Sequence, residues 1–186
     1  MKIVGIGGTN GSGKDTVGQI LEEKHGWKFI SLSDVLRDEA TARGLTTDRQ
    51  NLRQVSTELR RQHGTGVMID RVIEKYNQQG GKYKGLVTSA LRNGGEADRV
   101  HELGGQVIWV DADPKLRYKR ICARSRSDDR VSFEEFMEQE QIEMHQAINQ
   151  FELKAADVKE KADQVVENDS NYEDLAGKID TLVKEF

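Results

Sequence analysis

A lysine set behind closely spaced glycines is the clearest chemical signal in this chain. Residues 8–16 read Gly-Thr-Asn-Gly-Ser-Gly-Lys-Asp-Thr, and Gly8, Gly13 and Lys14 fit the spacing G-x-x-x-x-G-K. Glycines let the backbone curl until successive N–H groups point inward. Gly8, Asn10, Gly11, Ser12 and Gly13 would then line a nest for phosphate oxygens, completed by the N-terminus of the following helix. Lys14 reaches the β- and γ-phosphates of a nucleoside triphosphate and offsets charge as the γ-phosphoryl group moves. A dinucleotide fingerprint fits less well, because it needs G-x-G-x-x-G with a later acid and has no use for the lysine.

Where most such loops place a magnesium-binding Ser or Thr after the lysine, this one has Asp15. Asp15 either meets magnesium through its water shell or simply favours a helix N-terminus. Thr16, the first hydroxyl after the lysine, is read as a ligand of a phosphate oxygen and as a candidate metal ligand.

The remaining candidate residues are mostly cations. Asp34 and Arg37 in "SDVLR" follow a predicted strand, at the sheet rim where ligands of open α/β folds bind. Asp34 is placed to hold hydrated magnesium or to orient an acceptor, and Arg37 to present its planar fork to a phosphate. Arg92 in "TSALRN" ends another predicted strand, with an anion or Glu96 as its partner. Arg117, Arg120 and Arg124 recur at i, i+3, i+7, one helical face, with Arg117 read as a solvated surface residue. Arg126 and Arg130 flank the acidic pair Asp128–Asp129. Arginines on a mobile cover would neutralise a transferring phosphoryl group and exclude water.

These residues need a scaffold that gathers them at one rim, and the pattern supplies one. Short apolar runs at 2–7, 27–32, 84–91, 106–113 and 162–169 read as strands. Helical periodicities fill the gaps, which argues for a parallel sheet covered on both faces. Between the second and third strands lies more helical sequence than a crossover needs, so residues 34–80 are read as an inserted helical subdomain. A helix over 33–44 is expected to be capped by Ser33, and one long helix is expected from Ser132 to about Asp157. Trp27 and Trp109 read as core. His25, His63, His101 and His145 have no metal-ligand spacing. Asp111 and Asp113 are assigned mainly capping roles.

Bulk composition narrows the class. The chain has 186 residues and a formal net charge of −4, enough for one domain and without the basic excess of a nucleic-acid binder. The single cysteine, Cys122, excludes an internal disulfide and a Cys-rich zinc site, and no apolar run approaches the roughly 20 residues that span a bilayer. A cytoplasmic protein, acting on small molecules without nucleic acid or membrane, is the expectation, as a monomer or a homodimer.

Together the phosphate loop, "SDVLR", Arg92, and Arg120, Arg124 and Arg130 resemble the P-loop nucleoside monophosphate kinase family, including its adenylate-kinase-like and dephospho-coenzyme-A-kinase-like members and their archaeal and bacterial relatives. The resemblance implies a P-loop NTPase three-layer α/β sandwich: a five-stranded parallel sheet of order 2-3-1-4-5 in one domain over 1–186, a helical acceptor-binding insertion at 34–80 and a short lid at 125–131. It implies ATP and Mg²⁺ as cofactors, with Lys14, Asp34, Arg120, Arg124 and Arg130 catalytic. Asp34, Arg37 and Arg92 would bind the acceptor, and Thr16, Asp34 and, through water, Asp15 would surround the metal. Asn168, in "VENDS", resembles a residue passing beside the base of ATP. The implied reaction turns a nucleoside or deoxynucleoside monophosphate into its diphosphate. Phosphorylation of a ribose hydroxyl on dephospho-coenzyme A is the alternative. A GTPase would require an N-K-x-D segment, of which "VENDS" lacks the lysine, and a clear switch D-x-x-G after the third strand, which is missing there. A nucleotide-sensing module would have no need of the clustered arginines.

Overall fold

A computed structural model describes residues 1–124 and 131–186. Five strands, β1 (Ile3–Gly8), β2 (Lys28–Ser31), β3 (Leu86–Leu91), β4 (Gln106–Asp111) and β5 (Gln164–Glu167), form one sheet in the order β2-β3-β1-β4-β5. Every neighbouring pair is parallel. The order and direction are those the sequence resemblance implies. Of the three inner strands, β1 and β3 are buried along their whole length, as expected of a sheet covered on both faces.

Alternation along the strands divides the core in two. Ile3, Leu86, Val107 and Trp109 face one way, towards α2 (Leu32–Ala42), α3 (Arg49–His63), α4 (Val67–Gln79), α5 (Gly94–Glu102) and α8 (Ala155–Glu160). Val4, Ile6, Val87, Ile108, Val110 and Val166 face the other way, towards α1 (Lys14–His25) and α9 (Tyr172–Leu182). A side-chain Cβ at Gly7 would lie 2.7 Å from Val158 and 2.9 Å from Trp109. The absent side chain is therefore what lets α8 and β4 close onto β1. Trp27 and Trp109 are both core, as read from their strand patterns. Among the described residues no helix is long and apolar enough to cross a membrane.

Three helices, α2 to α4, connect β2 to β3. The cap of α2 lies two residues earlier than the sequence suggests. Ser31, extended at the end of β2, accepts a hydrogen bond from the Ser33 N–H, so β2 runs into α2 with no loop between them. Asp34 thus lies in the first turn of α2.

The long helix expected over 132–157 is instead α7 (Phe133–His145), an irregular connection, and α8. The connection gives its carbonyls to the β3–α5 turn: Asn93 Nδ2 donates to the carbonyls of Gln150 and Glu152, at 2.8 and 2.7 Å, while Lys154 N donates to the Arg92 carbonyl. A continuous helix would have kept those carbonyls for itself. Ile148, in this connection, is 94% exposed. Arg117, on α6 (Pro114–Arg124), also departs from its solvated reading. It is buried, it donates through Nε to the Ala112 carbonyl, and its fork grips Glu140 of α7.

One backbone feature marks the rim. Ile6 pairs with Ser89 and Gly7 with Leu91, so Ala90 is an extra residue in β3, held at φ 70°. A left-handed conformation costs a non-glycine residue about 1–2 kcal/mol, and such strain collects at functional sites. Ala90→Gly is expected to raise stability by up to about 1 kcal/mol after glycine's extra unfolded-state entropy is offset, read as a higher urea midpoint. A lower midpoint would show that the bulge is not strained.

Candidate functional site

The phosphate loop joins β1 to α1, and its conformation depends on glycine. Gly13 caps α1 at φ 95° without a side-chain hydrogen bond to the first turn. That leaves the first N–H groups of the helix for an outside acceptor. A Cβ on Gly13 would come within 2.3 Å of Asn168 Nδ2, which donates to the Ser12 carbonyl at 2.8 Å. Ser12 is fully buried, and its hydroxyl, like that of Thr9, has no hydrogen-bond partner. Two orphaned hydroxyls in a cup of backbone donors fit an oxyanion, since buried polar atoms are almost always paired.

Lys14 is buried, and among the described residues its only side-chain hydrogen bond is a long one, 3.3 Å, to the Thr9 carbonyl. Burial pushes its ammonium down to about 8. Asp15 and Glu143 pull it upward, and Arg92 and Arg124 push it further down. An anion beside Lys14 would restore the charge. Because the folded pKa lies below the unfolded one, this group makes the ligand-free protein more stable as pH rises from about 8 to 10.5. Nucleotide binding near pH 8.5 should accordingly take up protons. The calorimetric enthalpy is expected to vary with the buffer's ionisation enthalpy in the parent protein and to lose the Lys14-dependent part in Lys14→Met. Equal proton uptake by both proteins would remove Lys14 from the phosphate site.

Asp15 is exposed at the start of α1 and accepts a 2.6 Å hydrogen bond from Ser89 Oγ, at the end of β3. β3 itself carries no acid, so helix α1 supplies the carboxylate at this rim and the strand holds it. Thr16 is half-buried one residue further on. Asp34 and Arg37 face one another across one turn of α2 in a 2.8 Å ion pair. Among the described residues no three His, Cys, Asp or Glu side chains converge as a metal cage. The oxygens of Asp15, Thr16 and Asp34 nonetheless suit magnesium, which commonly takes one or two carboxylates and completes its shell with phosphates and water.

The arginine face of α6 lies against the phosphate loop. A Cβ on Gly11 would meet the Arg117 carbonyl at 2.6 Å. Arg120 Nη2 donates to the Asn168 carbonyl at 2.9 Å, and Arg124 Nη2 to Asn10 Oδ1 at 3.1 Å. Asn168 is buried; its N–H donates to the Asp111 carbonyl, so both of its backbone groups are engaged within the protein. Asp113 accepts from the N–H groups of Lys115 and Leu116, as a cap should. Arg126, Arg130 and the lid expected at 125–131 fall on or beside residues 125–130, which lie outside the described residues.

Arg92 does not pair with Glu96 through its side chain. Its guanidinium takes Glu143 of α7 at 2.6 Å, while its backbone N–H takes Glu96 at 2.7 Å. Glu96 and Arg60 of α3 form an ion pair 1–2% exposed. Glu143, Arg60, Arg49 and Arg53 carried no signal in the sequence reading. Each sits on a helix whose approach to the phosphate loop only the folded chain reveals.

One cleft of about 970 Å³ joins these groups, running from Lys14 and Asp15 to Asp34, Arg37, Arg92 and Arg124. That volume lies at the upper end of small-molecule sites. The AAA domain family matches residues 7–137. A UPF0200 protein of Sulfurisphaera tokodaii is 32% identical over 185 residues, covering 99% of this chain and 97% of that protein.

The chain belongs to the UPF0200 family.

A UPF0200/UPF0201 protein of Archaeoglobus fulgidus is also 32% identical, over 96% of this chain, and there the chain spans about half of the relative's length (54%). Among solved structures, shikimate kinase from Bacteroides thetaiotaomicron superposes with a TM-score of 0.61, covering 98% of each chain at 14% identity. The fold of this UPF0200 chain is thus the P-loop kinase-like α/β fold.

Proposed function

We propose that the protein transfers the γ-phosphoryl group of ATP, with Mg²⁺, to a nucleoside or deoxynucleoside monophosphate, giving ADP and the diphosphate. The reading rests above all on the continuity of the cleft: the phosphate loop, Arg37 of α2 and Arg92 of the β3–α5 turn line the same space. Lys14 and the Gly8–Gly13 loop hold the donor, with Thr16 on a phosphate oxygen, and Arg120 and Arg124 brace the loop from α6. Arg37 and Arg92 receive the acceptor's phosphate. Mg²⁺, beside Asp15, Thr16 and Asp34, would neutralise charge between the β- and γ-phosphates.

In the transfer, the bond from the γ-phosphorus to the β–γ bridging oxygen breaks, and one forms to an acceptor phosphate oxygen. That oxygen is already ionised near neutral pH, so no base must remove a proton. The protein's contribution is alignment and charge neutralisation.

The test is a coupled ADP-release assay with ATP, Mg²⁺ and a panel of ribo- and deoxynucleoside monophosphates plus dephospho-coenzyme A. Turnover with one or more monophosphates is expected. Release of ADP only with dephospho-coenzyme A would move the acceptor to a ribose hydroxyl, and release without any acceptor would make the protein an ATPase. Arg37→Ala should raise the acceptor KM by about tenfold or more, the loss of one charge-assisted contact, with little change in the KM for ATP. Unchanged acceptor kinetics would remove Arg37 from the site.

A further inference from the structure

Helix α7 crosses the cleft and reaches three cations through three side chains. Glu140 meets Arg117 of α6, Gln139 accepts from Arg49 of α3 at 2.8 Å, and Glu143 accepts from Arg92 at 2.6 Å. The two α7 ion pairs differ in kind. The Arg117–Glu140 pair is buried, with the partners 3% and 12% exposed, whereas Arg92 and Glu143 are each 26% exposed. The first fastens α7 to α6. The second opens onto the cleft, two residues before α7 ends.

Glu143 stands where the proposed reaction needs a substrate anion. Burial alone would raise its carboxyl. Arg92, then Arg49, Lys14 and Arg53, outweigh burial and hold it below the usual carboxylate range. The carboxylate therefore belongs to the same cationic field as the phosphate loop lysine. A phosphate on Arg92 and an ionised Glu143 about 4 Å away would repel by roughly 4 kcal/mol at an effective dielectric of 20. The two cannot share Arg92. Releasing a part-exposed ion pair costs only about 0–1 kcal/mol, and a phosphate dianion regains more through charge-assisted bonds to the guanidinium. A singly charged group gains little by the exchange.

We infer that Glu143 is a specificity-determining residue of the acceptor subsite, an internal counter-anion that yields Arg92 to a dianionic phosphate monoester and keeps it from singly charged groups. This rests on the phosphoryl-transfer reading and deepens it: the acceptor class is a phosphate monoester, selected by charge.

Calorimetric titration tests it. The probes are Mg-ATP, nucleoside 5′-monophosphates, and the same nucleotides as O-methyl phosphodiesters, which carry a single negative charge. The parent protein is expected to bind a monoester at least about tenfold more tightly than its methyl ester. Glu143→Gln should bind both more tightly, by up to about fivefold for the monoester and by more for the diester, narrowing the gap. Glu143→Ala should give the same gain, and adding Arg92→Ala should abolish it. Unchanged or weaker monoester binding in Glu143→Gln, with Mg-ATP binding intact, overturns the role of Glu143, as does Mg-ATP binding with no monoester bound by either protein. Failure of the parent protein to bind Mg-ATP would instead overturn the kinase reading on which the inference stands.

Discussion

Lys14→Ala is expected to give a folded protein whose phosphoryl transfer falls by at least about 10²–10³-fold, the scale of losing one preorganised charge at a reacting oxyanion. Mg-ATP affinity should fall with it. Folding should survive because Lys14 contributes no strong native contact. Its hydrogen bond to the Thr9 carbonyl is 3.3 Å long, and burial already drives its pKa down to about 8. A buried ammonium held away from its usual pKa costs stability in the empty protein; removing it is expected to leave the thermal midpoint unchanged or slightly higher. The pair of measurements is decisive. Retained turnover would sink the phosphate-loop assignment, and a large drop in midpoint would make Lys14 a structural residue.

The second large effect is on stability. Glu96→Ala is expected to cost about 3–5 kcal/mol, the usual price of stranding one member of a buried ion pair. Glu96 accepts from Arg60 at 2.7 Å through one oxygen and from the N–H groups of Arg92 and Asn93, at 2.7 and 3.1 Å, through the other. Arg60 also reaches Ser56 and the Phe151 carbonyl, each at 3.3 Å. Losing the carboxylate leaves a buried guanidinium unpaired and two backbone donors without an acceptor. Against a typical total of 5–15 kcal/mol, the urea midpoint should fall by roughly 1–3 M, or no cooperative transition should remain. Glu96→Gln should recover part of the loss, because its amide oxygen still accepts while the charge is gone. A change of under about 1 kcal/mol in Glu96→Ala would mean that the node is solvated. The same carboxylate fixes the backbone at Arg92, so any Glu96 variant that folds should also have a raised acceptor KM.

These two residues show how differently the sequence speaks. Lys14 was legible because its chemistry is local: the loop, its glycines and the helix start lie within nine residues, and spacing alone specifies the backbone shape. Glu96 was legible only as a rival partner for the Arg92 side chain. Its real partner, Arg60, lies 36 positions away on a helix whose orientation no local periodicity encodes. Glu143 was not legible at all, since α7 looked like part of one long amphipathic helix. That helix is broken because Asn93 and Arg92, far away in sequence, claim the carbonyl and N–H groups of the connection after His145.

By itself, then, the sequence determined the strand–helix alternation, the parallel sheet and the phosphate cup, because each follows from short-range patterns of apolar, glycine and capping residues. It also indicated the faces that carry Arg37, Arg92, Arg120 and Arg124. Only the tertiary structure decided which carboxylate each arginine meets: Asp34 for Arg37, Glu143 for Arg92, Glu140 for Arg117 and Glu96 for Arg60. Long charged side chains can reach many partners, and the choice among them depends on where whole helices settle on the sheet, which is fixed by the sum of many apolar contacts and by no single residue.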